Sequence, residues 1–573
     1  MKTKLFLDFD NYYEKKKPSD SGLVVLNSSY NNIWSTNIYR YIQEHNKAYH
    51  EFEKYTSSLN QINQNLDSKK IYLYSYFFFP LSLWLESIDK LLAENKITLH
   101  SEIIFSSFSN NRKAFIFEAE GEVNRQFLYK GSYFLTSYIE DFLIFRGFKF
   151  IRKNKNRSVQ SFISFYTRGL IFLNSKFFLI LISKIFFQRR EFGMNIKDKT
   201  IKNIILTRGI IQTNFIKGSY SSKPHKFFTL VSESSISPKK NFRLSRDIFK
   251  SMFYVEGYLS IKELIMEYLF TLQSYYYPER PIKANFYNVE INLSHILKET
   301  YIKDFFLKTY VFSIKRALEH IEKKRVMKID KILCFDSLSP YSYYLKKILG
   351  RNIIQIQTTE IFARKYPKFN FADTYYFTNI FAYKAHLKVN NHLNTNFKLL
   401  NNIQYVNTNL KRKKQKNTFE NITYFSQPIY YSEELELIKF LKSYCAKYSK
   451  IFRIKIHPRA IKNRYNEYKD FIVPENINAL SEIQQTDLVI TRNSSVGYDA
   501  WISNTPIVFF LNNSLSENGI SFIPEDYPGL IKENISLEML NQILPEIIKE
   551  FYNHSFQKYL NSVDDSVIDS MLD

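Results

Sequence analysis

Two cysteines in 573 residues, Cys334 and Cys445, leave no material for a disulfide framework. Both stand in periodic apolar stretches, "KILCFD" and "LKSYCAKYS", and read as buried thiols of a protein kept in a reducing compartment. Glycine is scarce as well, at 13 residues, and no dinucleotide fingerprint or P-loop occurs. Zinc-ligand spacings, RNP-like aromatic motifs and basic-region heptads are also missing, so a nucleic-acid partner, a metal or a resident cofactor is not expected. Acidic residues number 55 against 80 lysines and arginines, a formal charge of +25, which suits an anionic membrane face or an anionic small substrate.

Long uninterrupted apolar runs are lacking too. The nearest, "GLIFLNSKFFLILISKIFFQRR" (169–190), is broken by Asn174, Lys176 and Lys184, short of the about 20 residues a membrane-spanning helix needs. With Arg168, Arg189 and Arg190 around it, it reads either as a basic amphipathic helix lying on a membrane or as a helix buried in the protein. The first residues, "MKTKLFLDFDNYY", lack the apolar core and cleavage site of a signal peptide, so export by that route is not expected.

What is plentiful is core material. Hydrophobic residues make up 45% of the chain and aromatics 17%, enough for a folded body, and the length calls for more than one domain. The charge run "LKRKKQKNTFE" (410–420) has no apolar periodicity and reads as an interdomain linker. Beyond it, strands are predicted at 421–428, 451–458, 470–474, 486–491 and 505–511, with helices in "YSEELELIKFLKSYCAKYS", "NALSEIQQ" and "SVGYDAWIS" between them. Strands alternating with helices imply a parallel sheet covered on both faces, a Rossmann-like domain over 421–573. Residues 1–409 read as a second α/β domain, with strands in "GLVVLNS", "KKIYLYSYFF", "SEIIFSS", "KAFIFEAEG", "FFTLVSES", "DKILCFDS", "RNIIQIQT" and "TYYFTN". A helical layer is expected to be inserted at about 150–325.

Ligands of open parallel sheets collect outside the carboxyl ends of the strands. Two short motifs sit at such ends. In "IKIHPR", His457 follows an apolar strand and Pro458 stops it by removing a ladder donor. In "LVITRNSSVGYDAW", Ser494 and Ser495 open a helix whose first amide groups and hydroxyls suit a phosphate. Each also has a plain structural reading, an N-cap for the serines and a polar loop position for the histidine. Asp336, Ser337 and Ser339 would lie at another strand end in "CFDSLSP", the serines equally readable as helix caps. Asp8 and Asp10 in "FLDFDN" make a weak, phosphatase-like match without its companion motifs.

The series "YFSQP", "IKIHPR", "LVITRNSSVGYDAW" and "PIVFF", over roughly 420–515, resembles the C-terminal half of bacterial GT-B glycosyltransferases that use CMP-activated sugars. The likeness is greatest to the sialyltransferases of lipooligosaccharide and capsule assembly, then to the Kdo transferases. The resemblance implies two Rossmann-like domains facing across a cleft, donor contacts from His457, Pro458, Ser494 and Ser495, and no metal. His457 would assist departure of CMP, and the two serines would hold its phosphate. It also implies an acidic D/E-D/E-G motif whose carboxylate takes the acceptor proton. Here the chain departs from the family. "FIFEAEGEV" supplies Glu120 and Gly121 but has Ala119 at the first acidic place, with Glu118 one residue earlier, while "YIEDF" supplies Glu140 and Asp141 without the glycine. The expected enzyme transfers a sialic acid or related nonulosonic acid from a CMP donor to a bacterial surface glycan, free or lipid-linked, at the cytoplasmic face of the membrane. Transfer of Kdo, a CDP-alditol phosphotransferase of the teichoic-acid type and a noncatalytic polyanion-binding module stay open beside it.

Overall fold

The structure is a computed structural model of the chain. The residues described are 4–8, 23–27, 47–54, parts of 74–105, 143–150, 159–186, 191–192, 203–208, 227–232, 252–276, 283–286, 289–292, 294–325, 328–335, 340–357, parts of 372–400, 413–416, 418–427, 431–458, 460, 462–492, 494, 496–510 and 527–553.

The strands alternate with helices, and nearly every strand pair is parallel, so the expected α/β class is the one observed. Two parallel sheets with the doubly wound arrangement that a GT-B architecture requires are both present. The first lies upstream of the charge run. It comprises β5 (Glu191–Phe192), β6 (Asn203–Arg208), β7 (Phe227–Ser232), β8 (Met252–Tyr254), β11 (Lys331–Phe335), β12 (Asn352–Ile356), β13 (Thr374–Phe377) and β14 (Asn396–Leu399), in the order β14-β13-β12-β11-β6-β7-β8-β5. Only the two-residue edge strand β5 runs antiparallel. Strands β6 to β8 advance to one side, and the chain then returns to place β11 on the other side of β6.

Ahead of this sheet stands a separate four-stranded one: β1 (Lys4–Asp8), β2 (Leu23–Asn27), β3 (Glu102–Phe105) and β4 (Lys149–Phe150), order β2-β1-β3-β4, all parallel. Among the described residues, the expected domain 1–409 thus holds sheets of four and eight strands besides a two-stranded hairpin. The stretch 150–325 is also more than a helical layer. It carries α1 (Val159–Phe186), α2 (Ile261–Tyr276) and most of α3 (Ser294–Arg325), but also β5 to β8 and a hairpin of β9 (Lys283–Phe286) and β10 (Val289–Asn292). β6, "NIILTR", is central to its sheet. It is a six-residue strand with only three apolar residues, Ile204, Ile205 and Leu206, too short a run to register against the long helical periodicities around it. α3 covers the sheet with Val311, Ile314, Ala317, Leu318 and Ile321, and α4 (Pro340–Leu349) adds Tyr344 and Leu345.

A second correction concerns "KKIYLYSYFF". Its described residues, Tyr74 and Phe78, have helical backbone, are fully buried and pack against Phe52 at 5.4 and 5.3 Å between ring centroids. Both pack on the same ring of Phe52, in a stretch so rich in apolar residues that spacings of two and four look alike in the sequence.

The third sheet is made of β15 (Asn421–Phe425), β16 (Ile451–Lys455), β17 (Leu488–Thr491), β18 (Ile507–Phe510) and β19 (Leu530–Ile531), parallel throughout in the order β16-β15-β17-β18-β19. Alternate residues serve opposite faces. Ile422, Tyr424, Leu488, Ile490, Val508 and Phe510 meet α5 (Tyr431–Lys447) and α8 (Leu537–Asn553). Phe425, Val489, Ile507 and Phe509 meet α6 (Ala479–Gln485) and α7 (Val496–Ile502). Burial on both faces is why these strands are continuous apolar runs in the sequence. The expected strand at 470–474 is absent. Phe471 closes a 3₁₀ segment, Lys462–Phe471, and Ile472 makes a single bridge to Ile454.

The charge run is no free tether in its described part. Lys413 donates from its ammonium to the carbonyls of Ile483 (2.6 Å) and Thr486, and its backbone N–H donates to Ser503 O at 3.0 Å. Lys416 pairs with Asp487 at 2.7 Å, and Phe419 is buried in the core of the third sheet. Burial pushes the Lys413 ammonium down to about 8. Cys334 and Cys445 are both buried free thiols, as expected, and burial raises both, Cys445 to about 12.

Candidate functional site

In the third sheet β15 comes first, β16 is laid on one side of it, and the chain then crosses to place β17 on the other. The crevice at the carboxyl ends of β15 and β17 is thus a topological switch point, where connections leave in opposite directions and open a space for a ligand. Phe425 is level with both Lys455 and Thr491 in the ladders, so the three strands end together.

Short polar contacts join the loops leaving these ends. Ser426 continues the ladder, its N–H donating to Lys455 O at 3.0 Å, and its Oγ accepts the backbone N–H of His457 at 2.7 Å. His457, half-buried, then starts a turn in which its carbonyl accepts from Ala460 N at 2.9 Å, with Pro458 exposed at the turn. On the other side the hydroxyl of Thr491 donates to Phe425 O at 2.9 Å. Ser494 lies two residues before α7. Its Oγ accepts from Val496 N at 3.3 Å and its carbonyl from Gly497 N at 3.0 Å, so the capping role is plainly present. The sheet thus brings His457 and Ser494 to one edge, on either side of Ser426.

Beneath this edge lies a buried polar cluster. Glu434, fully buried in the first turn of α5, accepts the Gln427 N–H at 2.7 Å, the Tyr424 hydroxyl at 3.1 Å and the Tyr465 hydroxyl at 2.6 Å. Burial raises its pKa, while those hydrogen bonds and the nearby Arg492 guanidinium act in the opposite sense. Arg492, immediately after β17, is itself fully buried. The side-chain oxygen of Gln427 is buried with no hydrogen-bond partner among the described residues. Ser426, Gln427, Glu434, Tyr465 and Arg492 escaped the sequence reading. Three of them lie inside the quoted motifs, but nothing in residue type told a structural serine, glutamine or arginine from a functional one, and Glu434 reads simply as first-turn helix charge.

Ser495 lies outside the described residues, and so do Glu118, Glu120, Glu140 and Asp141, which by chain position belong to the connection from β3 to β4. Asp336, Ser337 and Ser339 are likewise outside, as is Asp10. Asp8 is the last residue of β1, the strand that pairs with both β2 and β3 in the first sheet.

No protein-family model and no curated protein matches the sequence. Solved structures similar to the chain include the glycosyltransferase of kitacinnamycin, at 10% identity and TM-score 0.40, over 65% of this chain and 98% of that one. The wall teichoic acid polymerase TagF is similar at 14% identity and TM-score 0.34, over 72% and 97%. The Methanocaldococcus jannaschii UDP-GlcNAc 2-epimerase is similar at 12% and 0.37, over 65% and 98%. Likenesses this distant decide neither substrate nor reaction.

Proposed function

We propose that the chain is a GT-B glycosyltransferase that moves a sialic acid or related nonulosonic acid from a CMP donor to a hydroxyl of a bacterial surface glycan. In this reading residues 421–573 are the donor-nucleotide domain, 410–420 the segment leading into it, and 1–409 the acceptor side. The observation that carries the reading is the pairing of His457, fixed through Ser426, with Ser494 across the switch point of the third sheet. The imidazole of His457 hydrogen-bonds or protonates the donor phosphate as the bond from the sugar's anomeric carbon to the phosphate oxygen breaks. The Ser494 and Ser495 hydroxyls hold that phosphate, and Pro458 shapes the turn against the cytidine. The new bond forms from the acceptor oxygen, whose proton passes to a carboxylate. Glu120 is the first choice for that base, with Glu118, Glu140 and Asp141 behind it. We place the reaction at the inner face of the cytoplasmic membrane, where a chain of charge +25 meets anionic lipids and a lipid-linked acceptor.

CMP release from CMP-sialic acid, CMP-Kdo and CDP-glycerol, each with a hydroxyl acceptor, tests the proposal. Turnover of CMP-sialic acid in preference to CMP-Kdo, lowered in His457→Ala by about two to four orders of magnitude, as loss of an acid catalyst does, with unchanged melting, supports it. Release from CDP-glycerol alone, or full activity in His457→Ala, overturns it.

A further inference from the structure

Helices α1 and α2 pack side by side. Gly169 sits against Tyr275, where a Cβ would come within 2.3 Å of the Tyr275 hydroxyl, Phe177 stacks on Tyr268 at 4.4 Å, and Lys184 reaches the carbonyl of Leu259. These contacts run in opposite chain directions, so the helices are antiparallel. Their inner faces share one core, to which α1 gives Leu173 and Ile180, α2 gives Leu264 and Tyr275, and α3 gives Ile302 and Phe305.

The outer faces are also apolar. On α1, Ile171, Phe178, Ile182 and Ile185 recur at spacings of seven, four and three, one stripe of a helix, and are 51 to 64% exposed. That stripe lies opposite Leu173 and Ile180. On α2, Met266, Leu269 and Phe270 are exposed on the side away from Leu264 and Tyr275, with Ile265 at the margin of that face. Because the two helices are antiparallel and turn their buried sides to the same core, the exposed stripes lie together on the outside. Contiguous apolar surface beyond a few hundred Å² is rare on a monomer without a partner.

The charges around this face select the occupant. α1 contains no acidic residue. The acids of α2 are both neutralised from α3, Glu263 by Arg316 at 2.5 Å and Glu267 by Lys308 at 3.3 Å. Lys262 is exposed on the same turn as Ile261, and the chain as a whole carries +25. An apolar face with a cationic border fits an anionic lipid surface, whereas a second copy would bring the same positive charge to the contact.

We infer that the paired outer faces of α1 and α2 form a docking surface that lies flat on an anionic bilayer, with Phe178, Ile182 and Ile185 of α1 and Ile265, Met266, Leu269 and Phe270 of α2 entering the headgroup boundary. This rests on the membrane location proposed above and assigns it to a surface. The α1 run was open between a buried and a lipid-facing helix, and the proposal gives it one face of each kind; α2, expected as a helix of the inserted layer, joins it here with a lipid-facing side.

Flotation of the full chain with phosphatidylcholine vesicles, with and without phosphatidylglycerol, at physiological salt tests the inference, and no nucleotide is needed, so its failure is separable from failure of the CMP reading. The wild type is expected to float with phosphatidylglycerol vesicles only. A Phe178→Ser, Ile182→Ser, Met266→Ser, Leu269→Ser variant is expected to lose binding by about tenfold or more, and Ile451→Ser, at an exposed apolar position of the third sheet, to bind as wild type. Phe178→Trp, a milder change, is expected to shift its emission to the blue on adding those vesicles. Wild type that stays unbound, a quadruple variant that binds equally, a Phe178→Trp emission that does not move, or a wild-type dimer that the quadruple variant dissolves would each overturn the assignment.

Discussion

The carboxylate of Glu434 gives the sharpest test of how the candidate site is supported. It accepts three hydrogen bonds in a fully buried position. In Glu434→Ala, the Gln427 amide and the Tyr424 and Tyr465 hydroxyls lose their acceptor. Stranded buried donors cost about 1–3 kcal/mol each, so the loss of three partners is expected to cost about 3 kcal/mol or more. Glu434→Gln is different. The Gln427 amide and the Tyr424 hydroxyl share one carboxylate oxygen, which glutamine keeps, and Tyr465 can turn its hydroxyl to accept from the new amide. The expected loss is then about 1 kcal/mol or less, because the desolvation cost of the charge disappears with the charge. The pH response separates the variants further. Burial raises the Glu434 pKa above its ordinary 4.5, so the folded state holds this proton more tightly than the unfolded one. This residue's contribution to stability is therefore full at acid pH and declines as pH rises through the folded value, a decline that Glu434→Gln removes. Amide hydrogen exchange across 421–427 and α5, against pH, reads the local opening energy directly. Equal protection in wild type and Glu434→Ala, or a larger loss in Glu434→Gln than in Glu434→Ala, would refute the reasoning.

Two other perturbations follow from the same sheet. Gly497→Ala places a Cβ 2.3 and 2.4 Å from ring atoms of the buried Phe509 and 2.9 Å from Ile507, so α7 must move, and a stability loss of about 1–3 kcal/mol is expected in thermal melts; a melt unchanged from wild type would contradict the packing. Lys413, held down to about 8 chiefly by burial, is protonated more in the unfolded chain between about 8 and its ordinary 10.5, so it makes stability rise with pH over that window. The wild-type melting temperature minus that of Lys413→Met should therefore grow from pH 7.5 to pH 10, and a constant difference would rule the cause out.

What was legible in the chain is what burial on two faces writes into it. "ITYF", "FRIKI", "DLVIT" and "PIVFF" are short β-rich runs bounded by turn residues, and the structure has a strand in each. β6 was lost because a short run among basic residues carries no period, and β19, two residues long, carries less. Tyr74 and Phe78 misled for the opposite reason: where nearly every neighbour is apolar, spacings of two and four cannot be told apart. "DFIVP" has strand composition, yet only Ile472 pairs, because Phe471 is still in the preceding 3₁₀ turn. In "LKRKKQKNTFE" charge hid contact, since Lys413 and Lys416 are long enough to reach carbonyls and a carboxylate seventy residues away. The strand-end positions of His457 and Ser494 could be read from the chain, because Pro458 and the Ser-Ser pair mark where the ladders stop. The strand order that makes β15 and β17 flank a crevice depends on contacts between distant segments, and so does the burial of Glu434 and Arg492.

The most direct test of the central claim is calorimetry of CMP, CDP, UDP and GDP with the wild-type chain and a Ser494→Ala, Ser495→Ala double variant. Selective binding of the cytidine nucleotides is expected of the wild type, and its loss in a double variant that melts normally, apart from the small cost of the lost cap. A folded wild type that binds no cytidine nucleotide, or a double variant that binds CMP as tightly, would contradict it.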